Sequence, residues 1–177
     1  MVSHISLLLV VVPLIAPPVV DILTRGLLPW AVDFIVAAAC DVLAGMQLWA
    51  GLYEGAISYE LGGWAPPWGI EYRIDAVNAF VALIVAAIAA ITLPYALLSA
   101  EREIPEDKIP LFYSALLLCL TGLLGITQTG DIFNVFVFLE ISSLASYALI
   151  SLGRQRQAFT AAYQYLIMGT IGATFYL

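Results

Sequence analysis

With 177 residues the chain has room for one soluble domain at most, since domains run to ~100–200 residues. Composition removes even that option: 63% of the residues are hydrophobic and 11% charged, where soluble domains carry about 25% charged residues. A mean hydropathy of +1.00 identifies an integral membrane protein, with length for about six spans of ~20 residues each. The formal charge of −7, without any Lys/Arg run, argues against a nucleic-acid partner and against a polybasic membrane patch. Cys40 and Cys119 fall inside apolar runs and His4 is the single histidine, so neither a disulfide framework nor a metal site is expected, and nothing marks a cofactor.

Taken in chain order, apolar stretches at 4–22, 29–52, 76–99, 109–128, 131–152 and 158–177 predict six membrane helices forming one all-α bundle over 1–177. In lipid every backbone group must be bonded internally, which selects helices over strands and tolerates Pro13 and Pro94 as kinks. The first run, Ile5 to Val20, resembles a signal sequence, but no basic residue precedes it and Pro17-Pro18 stands where a small-residue cleavage site would be, so it reads as a retained helix. Between the second and third helices, YELGGWAPPWGIEYRID (59–75) cannot continue a helix, because Gly62-Gly63 and Pro66-Pro67 break it. An ordered turn or short hairpin is expected there. It reads as an interfacial loop stiffened by proline rather than as a docking surface.

Basic residues set the orientation. Arg25, Arg102, Lys108, Arg154 and Arg156 lie in the loops after the first, third and fifth helices, and only Arg73 lies on the other side. Those loops are therefore expected in the cytoplasm and the amino terminus outside, in a multi-pass protein of the plasma (inner) membrane. Trp49, Trp64 and Trp68 would then form an outer interfacial belt, with Trp30 anchoring the opposite face.

The acids are the residues to explain, because a carboxyl at bilayer depth costs at least ~2.5–3.5 kcal/mol and normally serves a purpose. Asp21 and Asp131 lie at helix ends, where water reaches them, and Asp33 sits within about a turn of an end and is expected to reach the interface. Asp41 is nearer mid-span, with only small or apolar neighbours at helical spacing. It reads as held neutral or hydrogen-bonded to a Ser or Thr of an adjacent helix. Glu140 differs: counted from Asp131 at ~1.5 Å per residue it lies ~14 Å in, almost half of the ~30 Å core. At ~100° per residue, Ser143, Tyr147 and Ser151 sit at about −60°, −20° and +20° from it. That stripe suits a proton path. The competing reading is helix packing, since Ser142, Ser143 and Ser146 are also small residues that let membrane helices approach; the midplane acid favours the path.

TGDIFNVFVFLEISSLASYALI (129–150), AAYQYLIMGTIGATFYL from Ala161 and the outer segment YELGGWAPPWGIEYRID together resemble the antiporter-like membrane subunits shared by multisubunit Mrp-type sodium/proton antiporters and respiratory complex I. The resemblance spans about residues 57 to 177 and is nearest to the antiporter D subunit. It implies about fourteen helices with inverted repeats, in which a glutamate on helix five works with lysines on later helices to move protons. Glu140 matches that glutamate. Gln164 is an altered relay position, because many relatives have a lysine ahead of the tyrosine corresponding to Tyr165. Leu177 closes an apolar span without a polar flank, so the chain is expected to be a fragment or a split subunit.

The expected function is accordingly that of a proton-translocating subunit of a monovalent cation/proton (Na+/H+) antiporter complex. Its partners would be other membrane subunits, protons, Na+ and the lipid bilayer, and Glu140, Ser143 and Tyr147 would form the relay. The alternatives are a proton-pumping membrane subunit of a complex I-like NADH-quinone oxidoreductase or membrane hydrogenase, a translocase rather than a catalyst in itself, and a non-transporting scaffold fragment.

Overall fold

The computed structural model describes residues 2–23, 28–64 and 68–176. Arg25, Pro66-Pro67 and Leu177 lie outside the described residues, as does the side chain of Asp21. Six long helices follow in order: α1 (Val2–Leu23), α2 (Leu28–Tyr53), α3 (Ala76–Glu103), α4 (Ile109–Gln128), α5 (Ile132–Ser151) and α6 (Arg156–Tyr176). Between α2 and α3 stand two short strands, β1 (Ile57–Glu60) and β2 (Glu71–Ile74). Most helix ends fall within two residues of the sequence expectation; α3 runs four residues further, to Glu103, because Ser99 to Glu103 continue without a breaker until Pro105.

Among the described residues four helices are long and apolar enough to cross a membrane: α2, α3, α4 with its preceding turn, and α5. In α1 the described side chains, His4–Val19, form one apolar stretch. The sixth, α6, is diluted by Thr160, Gln164, Thr170 and Thr174 and does not meet the same criterion. The expected multi-pass all-α bundle is thus observed.

The segment between α2 and α3 is the hairpin. β1 and β2 pair antiparallel with Ile57 opposite Ile74 and Tyr59 opposite Tyr72, and the Leu61 amide donates to the Ile70 carbonyl at 2.9 Å. Gly62 and Gly63 both take positive φ, 72° and 75°, the left-handed region in which a side chain is strained. Tyr72 bridges to Thr129, and the Gly130 amide donates to the Glu71 carbonyl at 2.9 Å, so the hairpin is fastened to the α4–α5 turn. Buried Tyr72, Ile74, Ala79, Val10 and Phe138 form a small core beneath it. Burial pushes the Tyr72 hydroxyl above its ordinary value. Trp64 and Trp68 are 68% and 87% exposed on the hairpin.

The main core lies among α1, α2, α3 and α4 and gathers Leu9, Cys40, Ala44, Ala86, Leu93, Leu117 and Leu124. Prolines shape it. Pro13 lacks the N–H that would bond the Leu9 carbonyl, and the Cys40 thiol of α2 donates to that oxygen at 3.9 Å. Ser114 of α4 reaches the Pro17 carbonyl at 3.4 Å. Trp30, near the start of α2, donates its indole N–H to the Leu93 carbonyl beside Pro94 at 2.9 Å, and its ring stacks on Phe34. It is a tertiary contact with no signature in the α2 sequence. At the end opposite the hairpin, the Arg154 backbone and guanidinium donate to the Glu103 and Ile104 carbonyls at 3.1 and 2.9 Å, tying the α5–α6 turn to the α3–α4 loop.

Candidate functional site

Helix α5 positions the candidate acid. Asp131 caps it, its carboxylate accepting from the Asn134 amide at 3.1 Å, and Asn134 in turn donates to Thr129 at 3.0 Å. From that cap Glu140 is nine residues along, ~14 Å at ~1.5 Å per residue. Its side chain is half-buried and makes no hydrogen bond to any described residue. The opposite face of α5 is closed against α4. A Cβ placed at Gly122 would lie 2.6 Å from Ser142, and one at Gly125 would land on the Phe138 ring. Ser142 and Ser146 spend their hydroxyls on the Leu139 and Ser142 carbonyls, and Ser146 also meets the Cys119 thiol at 3.4 Å.

The serine cluster therefore divides. Ser142 and Ser146 pack against α4, as small residues between close helices do. Ser143 lies on the Glu140 side, half-buried and without a hydrogen bond to a described residue. Tyr147, 8% exposed, leans on α6: its ring meets Tyr165 edge-on at 5.0 Å, and its hydroxyl occupies the space a Cβ would take at Gly169. Ser151 turns back to the Ala148 carbonyl at 2.7 Å. It ends the stripe on its own backbone rather than extending it.

The α5–α6 register follows from two ring contacts, Tyr147 with Tyr165 and Phe136 with Tyr176 at 6.4 Å. Between them, antiparallel helices bring Gly172 to the level of Glu140. A Cβ added at Gly172 meets nothing within 4 Å, so space is open at that depth. Gln164 is exposed on α6, eight residues from that level, ~12 Å along the axis at ~1.5 Å each. The structure does not bring Gln164 to Glu140.

Two expectations about the other acids change. Asp33 does not reach the interface: it is 0% exposed, inside the bundle. Although it lies only ~8 Å into α2 at ~1.5 Å per residue, α2 turns it inward, and depth alone does not reveal that. Asp41 is half-buried, and its Oδ1 is buried without a hydrogen-bond partner among the described residues. The expected Ser or Thr partner is not there, since Thr92 of the neighbouring α3 donates to its own helix at Ala89.

Sequence reasoning misses a buried polar group near the hairpin end. Gln47 Nε2 donates to Ser6 Oγ at 3.0 Å and to Gln128 Oε1 at 2.9 Å, and all three side chains are 0% exposed. They join α1, α2 and α4. Two glutamines inside apolar helices are the available signal. Between α3 and α4 an apolar cavity of about 160 Å³, lined by Ile88, Thr92, Cys119 and Leu123 among others, is separate from Glu140. Among the described residues no three His, Cys, Asp or Glu side chains gather to hold a metal.

No family model matches the chain. Among curated proteins it is 42% identical to NADH-quinone oxidoreductase subunit N of Desulforudis audaxviator (strain MP104C), covering 100% of this chain and 36% of that one. It is 27% identical to the Na(+)/H(+) antiporter D subunit of Bacillus subtilis (strain 168), over 99% of this chain and 35% of the relative. Among solved structures it superposes on a chain of the Mrp complex from Dietzia sp. DQ12-45-1b with a TM-score of 0.84 at 25% identity, covering 98% of this chain and 32% of that chain. The chain thus spans about a third of the length of the relatives it matches.

Proposed function

We propose, from the premise that this multi-pass membrane chain is homologous to the amino-terminal part of the antiporter-like subunits, that it belongs to the proton-translocating machinery of a monovalent cation/proton antiporter complex. One observation carries this reading. Glu140 is the acid that combines mid-depth on its helix, no hydrogen bond to a described residue, and open space at the facing level of α6. A carboxyl binds its proton more tightly when desolvated and less tightly beside a cation. No Lys or Arg lies near mid-depth in any of the six helices, so the cation that switches Glu140 comes from outside these residues. Tyr147 and Ser143 line the route toward the α5–α6 turn, and Gln164 takes no part in it.

The hairpin end faces outward and the Arg154 end the cytoplasm of a plasma membrane, by the distribution of basic residues. The partners are other membrane subunits, and the transported ions are protons and Na+.

A second reading has its own support, the 42% identity to NADH-quinone oxidoreductase subunit N against 27% to the antiporter D subunit. It keeps Glu140 as the proton carrier and draws energy from electron transfer in other subunits. Proton flux measured in vesicles holding the intact complex separates the two. Flux started by a Na+ gradient alone supports the antiporter; flux that requires an electron donor and a quinone, and ignores Na+, supports the redox-driven complex. An assembled complex with neither flux would leave this chain as scaffold.

A further inference from the structure

We infer that the α2 face around Asp41 is a docking strip for a transmembrane helix of another subunit, one that presents a lysine or arginine at mid-depth. Asp41 is thirteen residues from Leu28 and twelve from Tyr53, the middle of α2. Its Oδ1 is buried and lacks a hydrogen-bond partner among the described residues, while the residue as a whole stays half-exposed. Donors from within the bundle are already committed: the Cys40 thiol to the Leu9 carbonyl, the Gln47 amide to Ser6 and Gln128, and the Thr92 hydroxyl to the Ala89 carbonyl. The spans of α1, α3 and α4 hold no Lys or Arg at that depth. Lipid tails offer no hydrogen-bond donor.

The surface has the shape for a helix. Ala38 and Gly45, one turn to either side of Asp41, are small and half-buried, and a Cβ added at Gly45 would meet only Leu83 at 4.0 Å. Small residues around a polar one let a second helix backbone approach closely enough to bond it. Val42, Met46 and Trp49 beside the notch are 63%, 49% and 61% exposed, giving the partner an apolar rim. Charge complementarity selects a basic side chain, because this chain carries −7 and supplies no cation of its own there. The inference requires a multisubunit assembly but not the transport role of Glu140, so a failed flux experiment leaves it standing.

The test places a benzophenone amino acid at Val42 in the intact complex and maps the photo-crosslinked peptide by mass spectrometry. The expected product is a membrane-helix peptide of a different subunit with Lys or Arg within a turn of the link. Gly45→Leu, which fills the notch, and Asp41→Lys are each expected to cut that crosslink about fivefold or more at unchanged membrane levels of the chain. Replacing the identified basic residue with Glu is expected to restore it in Asp41→Lys. Crosslinks confined to lipid, to a second copy of this chain or to a helix without a basic residue would overturn the inference, as would crosslinking indifferent to Gly45→Leu.

Discussion

In the α1–α4 bundle the buried side chains of Ser6, Gln47 and Gln128 bond one another and the Cys40 thiol bonds a carbonyl released by proline. On the face of α5 that carries Glu140, the carboxylate and Ser143 bond no described residue. The seam between α4 and the other face of α5 is closed: Gly122 and Gly125 leave no space there for even a methyl group. The Glu140 face is open, with unfilled space beside Gly172 and only Ala162 and Ala173 buried on α6. The contrast separates two uses of polarity in a membrane. Polar groups that find fixed partners stabilise a packing arrangement, and a carboxyl that is left without one stays able to exchange its proton.

Substitution can break that contrast from either side. The largest effect is expected at Glu140 in the intact complex. Glu140→Gln keeps the size and an amide oxygen but has no titratable proton, so proton flux should fall about 100-fold or more with assembly unchanged, and Glu140→Asp should keep part of it. Near-normal flux in assembled Glu140→Gln would return Glu140 to the packing residues. Next comes Gly125→Val in the closed region, where the added carbons collide with Phe138. Overpacking costs about 1–3 kcal/mol, read as a lower thermal midpoint of the purified complex; an unchanged midpoint would show that α4 and α5 are not in tight contact.

A smaller loss, about 1–2 kcal/mol, is expected for Gln47→Leu, which leaves buried Ser6 and Gln128 each short of a partner, again read from the thermal midpoint, with flux per folded complex retained. Asp41→Asn should affect flux least, because no polar stripe on α2 leads to it. If it stopped flux as completely as Glu140→Gln, the distinction between a docking acid and a relay acid would fail. Topology sharpens the same comparison without altering energetics: a cysteine at Ser58 should react with an impermeant reagent added outside, and one at Pro105 should not. The reverse labelling would invert the membrane direction of the path.

Much of this is legible in the sequence because lipid allows few alternatives. Six apolar runs become six helices, and Gly62-Gly63 with the flanking strand residues becomes the hairpin. The division of the serines is legible only as two competing readings, and each holds for different residues: packing for Ser142 and Ser146, the Glu140 face for Ser143. Burial is the weak point. Helices α2 and α5 carry apolar residues on every side, so periodicity does not distinguish the side facing protein from the side facing lipid. Depth along α2 therefore puts Asp33 at the interface, whereas it is fully buried, and the Ser6–Gln47–Gln128 group, which three separate helices assemble, shows in the sequence only as two glutamines inside apolar helices.

The central claim, that Glu140 gains and loses a proton during turnover, is tested most directly by infrared difference spectroscopy of the intact complex under a driving gradient. A carboxyl C=O stretch is expected to appear and vanish with turnover, to shift on exchange into deuterated water, and to be missing in Glu140→Gln while it persists in Asp41→Asn. A band that survives unchanged in Glu140→Gln, or that vanishes with Asp41→Asn, would contradict it.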